Sequence, residues 1–233
     1  MAEAALAIMA KKPVVGAAKT RLCPPLQPAE AVLFYEALLK DTIELCARIK
    51  DVDLALAVSP HNAAGYFKEI TPPGTTLLPI DCPDIGNCLE ITLGNLLDAG
   101  YKKALAINSD GPSLPGDYII SAVELLNNHE LVFGPGEDGG YYLIGLKQIH
   151  HELFSGIEWS TSMVLDQSIS KANSLSLSIA LLPAWYDIDT WQDFNRFKKE
   201  LARLPENELL HSRRFFDRFG DLPFGVDEPG ARG

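Results

Sequence analysis

Four short segments of the chain contain residues that could bind phosphate groups or a divalent cation. The segments are residues 13–22 (PVVGAAKTRL), 108–112 (NSDGP), 134–142 (GPGEDGGYY) and 187–190 (DIDT). Lysine and arginine neutralise phosphate charge, carboxylates bind magnesium, and glycines let the backbone approach a ligand closely. Together the segments indicate chemistry on a phosphorylated ligand, although each one alone has an alternative as a solvated loop or turn.

The segment 13–22 is the candidate phosphate-binding loop. Backbone N–H groups near Gly16 can bind phosphate oxygens, while Lys19 and Arg21 supply positive charge. The segment is not a Walker A loop, because Ala18 rather than glycine precedes the lysine. Its alternative is a surface turn with two solvated cations. The predicted nucleotide-binding residues are Pro13, Gly16, Lys19, Thr20, Arg21 and, from the second segment, Ser109.

Asp110, Asp187 and Asp189 are the candidate metal ligands. Asp110 follows a predicted strand and precedes a Gly-Pro turn, which would direct its carboxylate towards a ligand. Asp187 and Asp189 alternate, so both carboxylates lie on one side of an extended segment. Aspartate oxygens suit Mg²⁺ or Mn²⁺ bound together with phosphates. The alternatives are a turn-forming aspartate at 110 and a helix cap from Asp189 or Thr190.

Glycines surround the acidic pair Glu137 and Asp138 in the segment 134–142. The glycines allow the backbone to approach a ligand closely. Either carboxylate could bind an acceptor hydroxyl, act as a base or contact the metal. The alternative is an ordinary hairpin turn.

The elements that position these segments follow from hydrophobic periodicity, which predicts strands alternating with helices. The predicted strands are residues 4–9, 54–58, 76–79, 104–108, 130–133, 141–146 and 175–182. The predicted helices are residues 29–49, 62–70, 84–99, 118–127, 160–170 and 191–204. This alternation predicts an α/β fold of three layers, α/β/α, around a mixed but mostly parallel sheet. We expect a single domain over residues 1–204, then a C-terminal helix and a loose tail over residues 205–233.

Charge and composition limit the classes of partner. The net charge of −11 argues against binding to nucleic acid or to an anionic membrane. The chain has four cations and no acidic residue between Ala4 and Ala29, which favours a local site for a small anion. No segment has the length of a membrane span or the charge pattern of a signal peptide, so we expect a cytoplasmic protein. The four cysteines are then expected to be free thiols.

The four segments in this order, together with Trp159-Ser160-Thr161, resemble a bacterial family of GT-A-like nucleotide-diphospho-sugar transferases. Within it, the chain is similar to the radical-SAM/selenodomain-associated transferase type. More distantly, it resembles 2-phospho-lactate guanylyltransferases, molybdenum-cofactor guanylyltransferases and the cytidylyltransferases that activate sugar acids. The resemblance covers about residues 6–201 and implies a seven-stranded sheet with one reversed strand.

The resemblance also implies a role for each segment. Gly16, Lys19 and Arg21 would hold the phosphates of a nucleotide, and Asp110 would be the central metal ligand, completed by Asp189 and next by Asp187. The implied acceptor-binding residues are Glu137, Asp138, Gly139 and Gly140. The predicted catalytic residues are Lys19, Asp110 and Asp138. The cofactor is expected to be Mg²⁺ or Mn²⁺, and the partners are a nucleotide or nucleotide sugar and a small-molecule acceptor.

The expected reaction is metal-dependent nucleotidyl transfer to a small phosphorylated or sugar-like acceptor. The alternatives are a glycosyltransferase that uses a nucleotide-diphospho-sugar and a non-catalytic nucleotide-binding protein. Two departures from the family pattern bear on this choice. Gly111 stands where relatives carry serine, and Asn87-Cys88 follow Gly86 where many relatives have a Gly-Glu-Arg-like stretch.

Overall fold

The computed structural model describes residues 2–219, and in this part of the chain seven strands form one sheet. The strands are β1 (Ala4–Lys11), β2 (Val52–Ser59), β3 (Thr76–Pro79), β4 (Lys103–Asn108), β5 (Leu131–Pro135), β6 (Tyr141–Leu146) and β7 (Ile179–Leu181). Their order in the sheet is β3-β2-β1-β4-β6-β5-β7. Strand β6 is antiparallel to β4 and β5, while every other pair is parallel. The mixed sheet with one reversed strand is confirmed.

Helices cover both faces of the sheet. The helices are α1 (Pro28–Ala47), α2 (Ala64–Ile70), α3 (Ile85–Asp98), α4 (Gly116–Leu125), α5 (Val164–Ser174), α6 (Trp191–Leu201) and α7 (Leu210–Phe219). Along β1, Leu6 and Ile8 pack in one cluster with residues of α1, α2 and α4, whereas Ala5 and Ala7 pack in another with α3 and α5. This alternation buries both faces of a central strand, which explains why its sequence is continuously apolar. The three-layer α/β fold is confirmed.

A third cluster lies where α1 meets α6 and α7. It is dominated by aromatic side chains, namely Phe34, Phe194, Phe197, Phe215 and Phe216. Asp41, buried on α1, accepts hydrogen bonds from the backbone N–H groups of His211 (3.0 Å) and Ser212 (2.7 Å) in the first turn of α7. The amphipathic α7 therefore docks on α1 through apolar rings and one buried carboxylate. The loose tail expected from about Asp221 lies outside the described residues.

The predicted elements match the structure best where apolar runs are short and bounded by turns. Strands β3 and β6 have the predicted bounds. The predicted helix 160–170 instead begins at Val164, because Ser160 has a φ of 64° and interrupts helical backbone. The predicted strand 175–182 shortens to β7 because the end of α5 extends further, with Leu177 N donating to Ala172 O.

The expectation of four free thiols is wrong for Cys82 and Cys88, which form a disulfide with Cα atoms 5.5 Å apart. The turn that leads into α3 brings them together, and Asp84 stabilises this turn as the N-cap by accepting from Asn87 N. Cys23 and Cys46 are free. Within residues 2–219, no helix has both the length and the apolar character needed to cross a membrane.

Replacing Asp41 tests whether its carboxylate fixes α7. Asp41→Ala leaves two N–H groups of α7 without a partner, so we expect a loss of about 1–3 kcal/mol in the free energy of unfolding. Asp41→Asn, which keeps one acceptor oxygen, should lose less. Urea denaturation measures both, with the exposed Asp98→Ala as the control. An Asp41→Ala protein as stable as this control would contradict the capping role.

Candidate active site

The ammonium group of Lys19 lies between two of the predicted metal ligands. Lys19 Nζ is 2.7 Å from Asp110 Oδ2 and 2.7 Å from Asp189 Oδ1. Lys19 belongs to the loop after β1, Asp110 to the turn after β4, and Asp189 to the segment before α6. Three segments that are distant in the sequence thus meet at one buried cation. Lysine was expected to face phosphates, and the direct contact with both carboxylates was not predicted.

Local backbone geometry and burial direct Lys19 towards the carboxylates. Its φ of 49° and ψ of 39° place it in the left-handed region, at the start of a short 3-10 helix over Thr20–Leu22 that Leu22 anchors in the core. Its side chain is only 5% exposed. Burial alone would lower the pKa of Lys19, but the charges of Asp110 and Asp189 outweigh burial and hold the pKa above its usual value. Lys19 is therefore a permanent cation in this site.

Asp187 is the third carboxylate of the group. One of its oxygens accepts from Asn108 Nδ2 at 2.7 Å, while Oδ1 is buried and has no hydrogen-bond partner among the described residues. Burial and then the negative charge of Asp110 raise the pKa of Asp187 well above its ordinary value. Such an oxygen is suited to bind a cation, because a positive charge would offset both effects.

The helix-cap alternative is resolved in favour of Thr190. Its side chain accepts from Asp193 N, and the Asp193 side chain in turn accepts from Thr190 N. This reciprocal arrangement is a capping box. Asp189 is consequently not used as the cap, and its carboxylate contacts Lys19 instead.

Tyr35 connects the two strand ends that carry the site, a role that the sequence analysis missed. Its hydroxyl, supplied by α1, bonds the backbone of Lys11 at the end of β1 and the side chain of Ser109 (3.0 Å) after β4. Ser109, a predicted nucleotide-binding residue, is buried and uses its hydroxyl in this contact. The sequence does place a tyrosine on the buried face of α1. Because a buried hydroxyl requires a hydrogen-bond partner, this position could have indicated a polar contact of Tyr35.

Two adjoining cavities open at this edge of the sheet. The first, which we call the donor cavity, has a volume of about 780 Å³. Its charged lining consists of Lys11, Lys12, Lys19, Arg21, Asp110, Asp187 and Asp189. Thr20 and Ser109 also line it, whereas Pro13 and Gly16 do not. A cavity with four cations beside three carboxylates is suited to a polyanion and a cation together.

The second cavity, which we call the acceptor cavity, has a volume of about 510 Å³. Asp138 and Gly140 line it, and Asp138 Oδ1 accepts from Gly140 N at 3.0 Å. Gly139 has a φ of 89°, and a Cβ there would lie 2.1 Å from Ser162 O, so the loop packs directly against the backbone of Ser162, which also lines this cavity. Both cavities share Arg21 and Asp189, so ligands in them would meet beside these two side chains.

Glu137 occupies a different position from its neighbour. Its carboxylate accepts from Arg196 Nη1 at 2.7 Å and lines neither cavity. The same guanidinium stacks 3.7 Å over the ring of Tyr186. The side chain of Glu137 thus makes a contact between the β5–β6 loop and α6 and does not enter the cavity that Asp138 and Gly140 line.

A second cluster of side chains, on α1 and α7, is compact enough to hold a metal ion. Among the described residues, ligand atoms of Asp41, Glu44 and His211 lie within 4.8 Å of one another. However, both oxygens of Asp41 already bond the first turn of α7, and His211 Nε2 contacts Glu44 Oε1 at 3.1 Å. These contacts account for the group as a helix-docking arrangement.

A family model described as "Uncharacterized protein conserved in bacteria (DUF2064)" matches residues 42–161. No curated protein matches the sequence. The structure is similar to that of a Desulfovibrio desulfuricans G20 protein described as a "putative nucleotide-diphospho-sugar transferase". The TM-score is 0.89 at 25% identity, over 97% of this chain and 100% of that chain.

Two more distant structures share the fold. A cytidylyltransferase from Leptospira borgpetersenii has a TM-score of 0.57 at 12% identity, over 98% of this chain and 100% of that chain. Rv0371c from Mycobacterium tuberculosis H37Rv, solved in complex with manganese, has a TM-score of 0.51 at 11% identity, over 84% of this chain and 98% of that chain. The similar structures thus include a protein described as a putative nucleotide-diphospho-sugar transferase and a cytidylyltransferase, which supports a transferase here.

Removing the charge of Lys19 tests how strongly this cation holds the site together. Lys19→Met leaves Asp110 and Asp189 facing each other without a cation, and we expect a loss of about 3 kcal/mol in the free energy of unfolding. This value is at the lower end for buried pairs because Asp189 is 45% exposed. Chemical denaturation measures it, and the exposed Lys12→Met in the same loop is the control. The double variant Lys19→Met with Asp110→Asn should lose less than the single variant, and a larger loss would contradict the proposed charge balance.

Proposed function

The chain belongs to DUF2064, a family of uncharacterized proteins conserved in bacteria, and we propose that it is a metal-dependent transferase. Its donor is a nucleoside triphosphate or a nucleotide sugar, and its acceptor is a small molecule. The observation that carries the proposal is the meeting of Lys19 with Asp110 and Asp189 at the floor of a cavity lined by further cations. Phosphoryl chemistry needs this combination of carboxylates and fixed positive charge.

The donor cavity favours nucleotidyl transfer over glycosyl transfer. Lys11, Lys12, Lys19 and Arg21 line it together, and a triphosphate needs more positive charge than a diphosphate. In nucleotidyl transfer, an acceptor oxygen attacks the α-phosphate, and pyrophosphate leaves with the electron pair of the broken P–O bond. Lys19 and Arg21 stabilise the charge that accumulates on the phosphate oxygens.

Asp110, Asp187 and Asp189 would hold Mg²⁺ or Mn²⁺ beside the phosphates. The donor set fits such an ion, because all three supply carboxylate oxygens and Asp187 Oδ1 is buried without a partner among the described residues. A protein of similar fold has been solved with manganese. When bound, the ion supplies charge neutralisation and polarisation at phosphate oxygens.

Asp138 acts on the acceptor side of the reaction. It lines the acceptor cavity, and the bond from Gly140 N fixes its carboxylate in the wall. In this position it accepts a hydrogen bond from the acceptor hydroxyl, orients the oxygen and takes the proton as the new bond forms.

Glycosyl transfer is the second candidate function. It is favoured by the similarity of this structure to the Desulfovibrio protein described as a nucleotide-diphospho-sugar transferase. The same carboxylates and cations would then stabilise a departing nucleoside diphosphate instead of pyrophosphate. The two reactions differ in the released product, which makes them distinguishable.

The test begins with thermal shift of the purified protein with each common nucleoside triphosphate and nucleotide sugar, with and without Mg²⁺. We expect stabilisation by at least one donor that depends on the metal ion. Release of pyrophosphate then identifies nucleotidyl transfer, and release of a nucleoside diphosphate identifies glycosyl transfer. Binding of nucleotide without any metal dependence and without product release would indicate a non-catalytic binding protein and overturn the proposal.

Asp110→Asn tests the central ligand. The substitution keeps the size of the side chain but removes its charge, so we expect turnover to fall by about 100-fold or more and the metal-dependent thermal shift to disappear. Asp98→Asn, on the exposed end of α3, is the matched control and should behave as the wild type. Retained metal dependence in Asp110→Asn would assign the ion to other residues.

A further inference from the structure

The acceptor cavity has a chemistry of its own that points to a class of substrate. We infer, on the basis of the proposed function, that it takes an uncharged polyhydroxylated acceptor such as a sugar or polyol, and that it discriminates against phosphate esters. Three features of its wall carry this inference: its charge, its hydroxyl groups and its aromatic side.

The charge of the acceptor cavity is unfavourable to an anion. Arg21 is the one cation among its lining residues in the described part of the chain, and it is shared with the donor cavity. Asp138 and Asp189 are the two carboxylates of the lining, and Lys19, which pairs with Asp189 from the donor cavity, does not line this cavity. A phosphate ester would bring about two further negative charges next to these groups at neutral pH. Repulsion from the carboxylates disfavours such an acceptor, whereas a neutral molecule meets no such penalty.

The polar groups of the wall suit hydroxyl partners. Ser160 and Ser162 are exposed and line the same cavity as Asp138. Thr161 between them bonds its own loop, accepting from Met163 N and donating to Glu158 O, and so shapes the wall. Hydroxyl and carboxylate groups together can both donate to and accept from the hydroxyls of a polyol.

Trp159 provides the aromatic side of the cavity. Its ring centroid is 6.5 Å from that of Tyr141 at an interplanar angle of 82°. On another side it packs against Gly86 in the first turn of α3, where a Cβ would lie only 2.2 Å from Trp159 Cε2. Gly86 is therefore required for the position of the indole. An indole beside hydroxyls and carboxylates suits a molecule with apolar C–H surfaces and polar edges.

Matched pairs of probes test the inference: glycerol with glycerol 3-phosphate, and glucose with glucose 6-phosphate. Each probe is added to the protein together with Mg²⁺ and the donor that the thermal-shift experiment has identified. Product release is then measured. We expect at least one uncharged member to stimulate release about tenfold more than its ester, and Asp138→Asn to reduce this stimulation. If the donor binds but no uncharged member exceeds its ester, the inference is wrong. If no donor binds at all, the proposed function fails instead.

Gly86→Ala tests the role of Trp159 separately. The added methyl group should displace the indole, raise the KM for the uncharged acceptor by about tenfold and leave the KM for the nucleotide unchanged. Gly94→Ala in the same helix is the control, because its Cβ would meet only Ile149 at an ordinary 3.7 Å. Trp159→Ala should reproduce the effect and Trp159→Phe should restore part of the affinity. Unchanged acceptor KM in both Gly86→Ala and Trp159→Ala would overturn the assignment.

Discussion

The balance between one buried lysine and a cluster of carboxylates is the constraint on which the site depends. Asp110, Asp187 and Asp189 converge in a partly buried space, where like charges repel strongly because little water screens them. The ammonium of Lys19, 2.7 Å from two of these side chains, offsets the repulsion and joins the first loop to the last segment before α6. In the proposed function, the same charge would also face a phosphate ligand.

The topology of the sheet explains why these residues meet. Strands β1 and β4 are parallel neighbours, so the loops that follow Lys11 and Asn108 leave the sheet at the same edge. Because β6 is reversed, the loop between β5 and β6 also lies at this edge. The segment that leads to Asp187 is held there by the bridge between Gly136 and Trp185. One reversed strand thus brings the loop that carries Asp138 to the same side of the sheet as the loop that carries Lys19.

Sequence patterns predicted the alternating elements well because burial of both faces leaves continuous apolar runs, as in β1. The patterns also pointed to the segments after the strands, where Lys19, Asp110 and Asp138 lie. They could not predict that Lys19 pairs directly with Asp189, since the two residues are 170 positions apart in the sequence. The disulfide between Cys82 and Cys88 was not predicted, because a cytoplasmic compartment favours free thiols and no residue pattern indicated the turn that brings the two cysteines together. The sequence also could not show that Glu137 and Asp138 make different contacts. Glu137 pairs with Arg196, which is 59 residues away along the chain, so no pattern near Glu137 indicates this contact.

The two departures from the family pattern have different physical meanings in this structure. A Cβ at position 111 would meet Asp187 Oδ1 at an ordinary 3.4 Å, so packing does not demand the glycine there. Asn87 and Cys88, by contrast, are both engaged: Asn87 bonds Asp84 at the N-cap of α3, and Cys88 forms the disulfide. These contacts stabilise the turn that carries Gly86 and so support Trp159. Where the family resemblance leads us to expect a charged pair, this chain has an uncharged first turn of α3 beside the acceptor cavity, as expected for the proposed neutral acceptor.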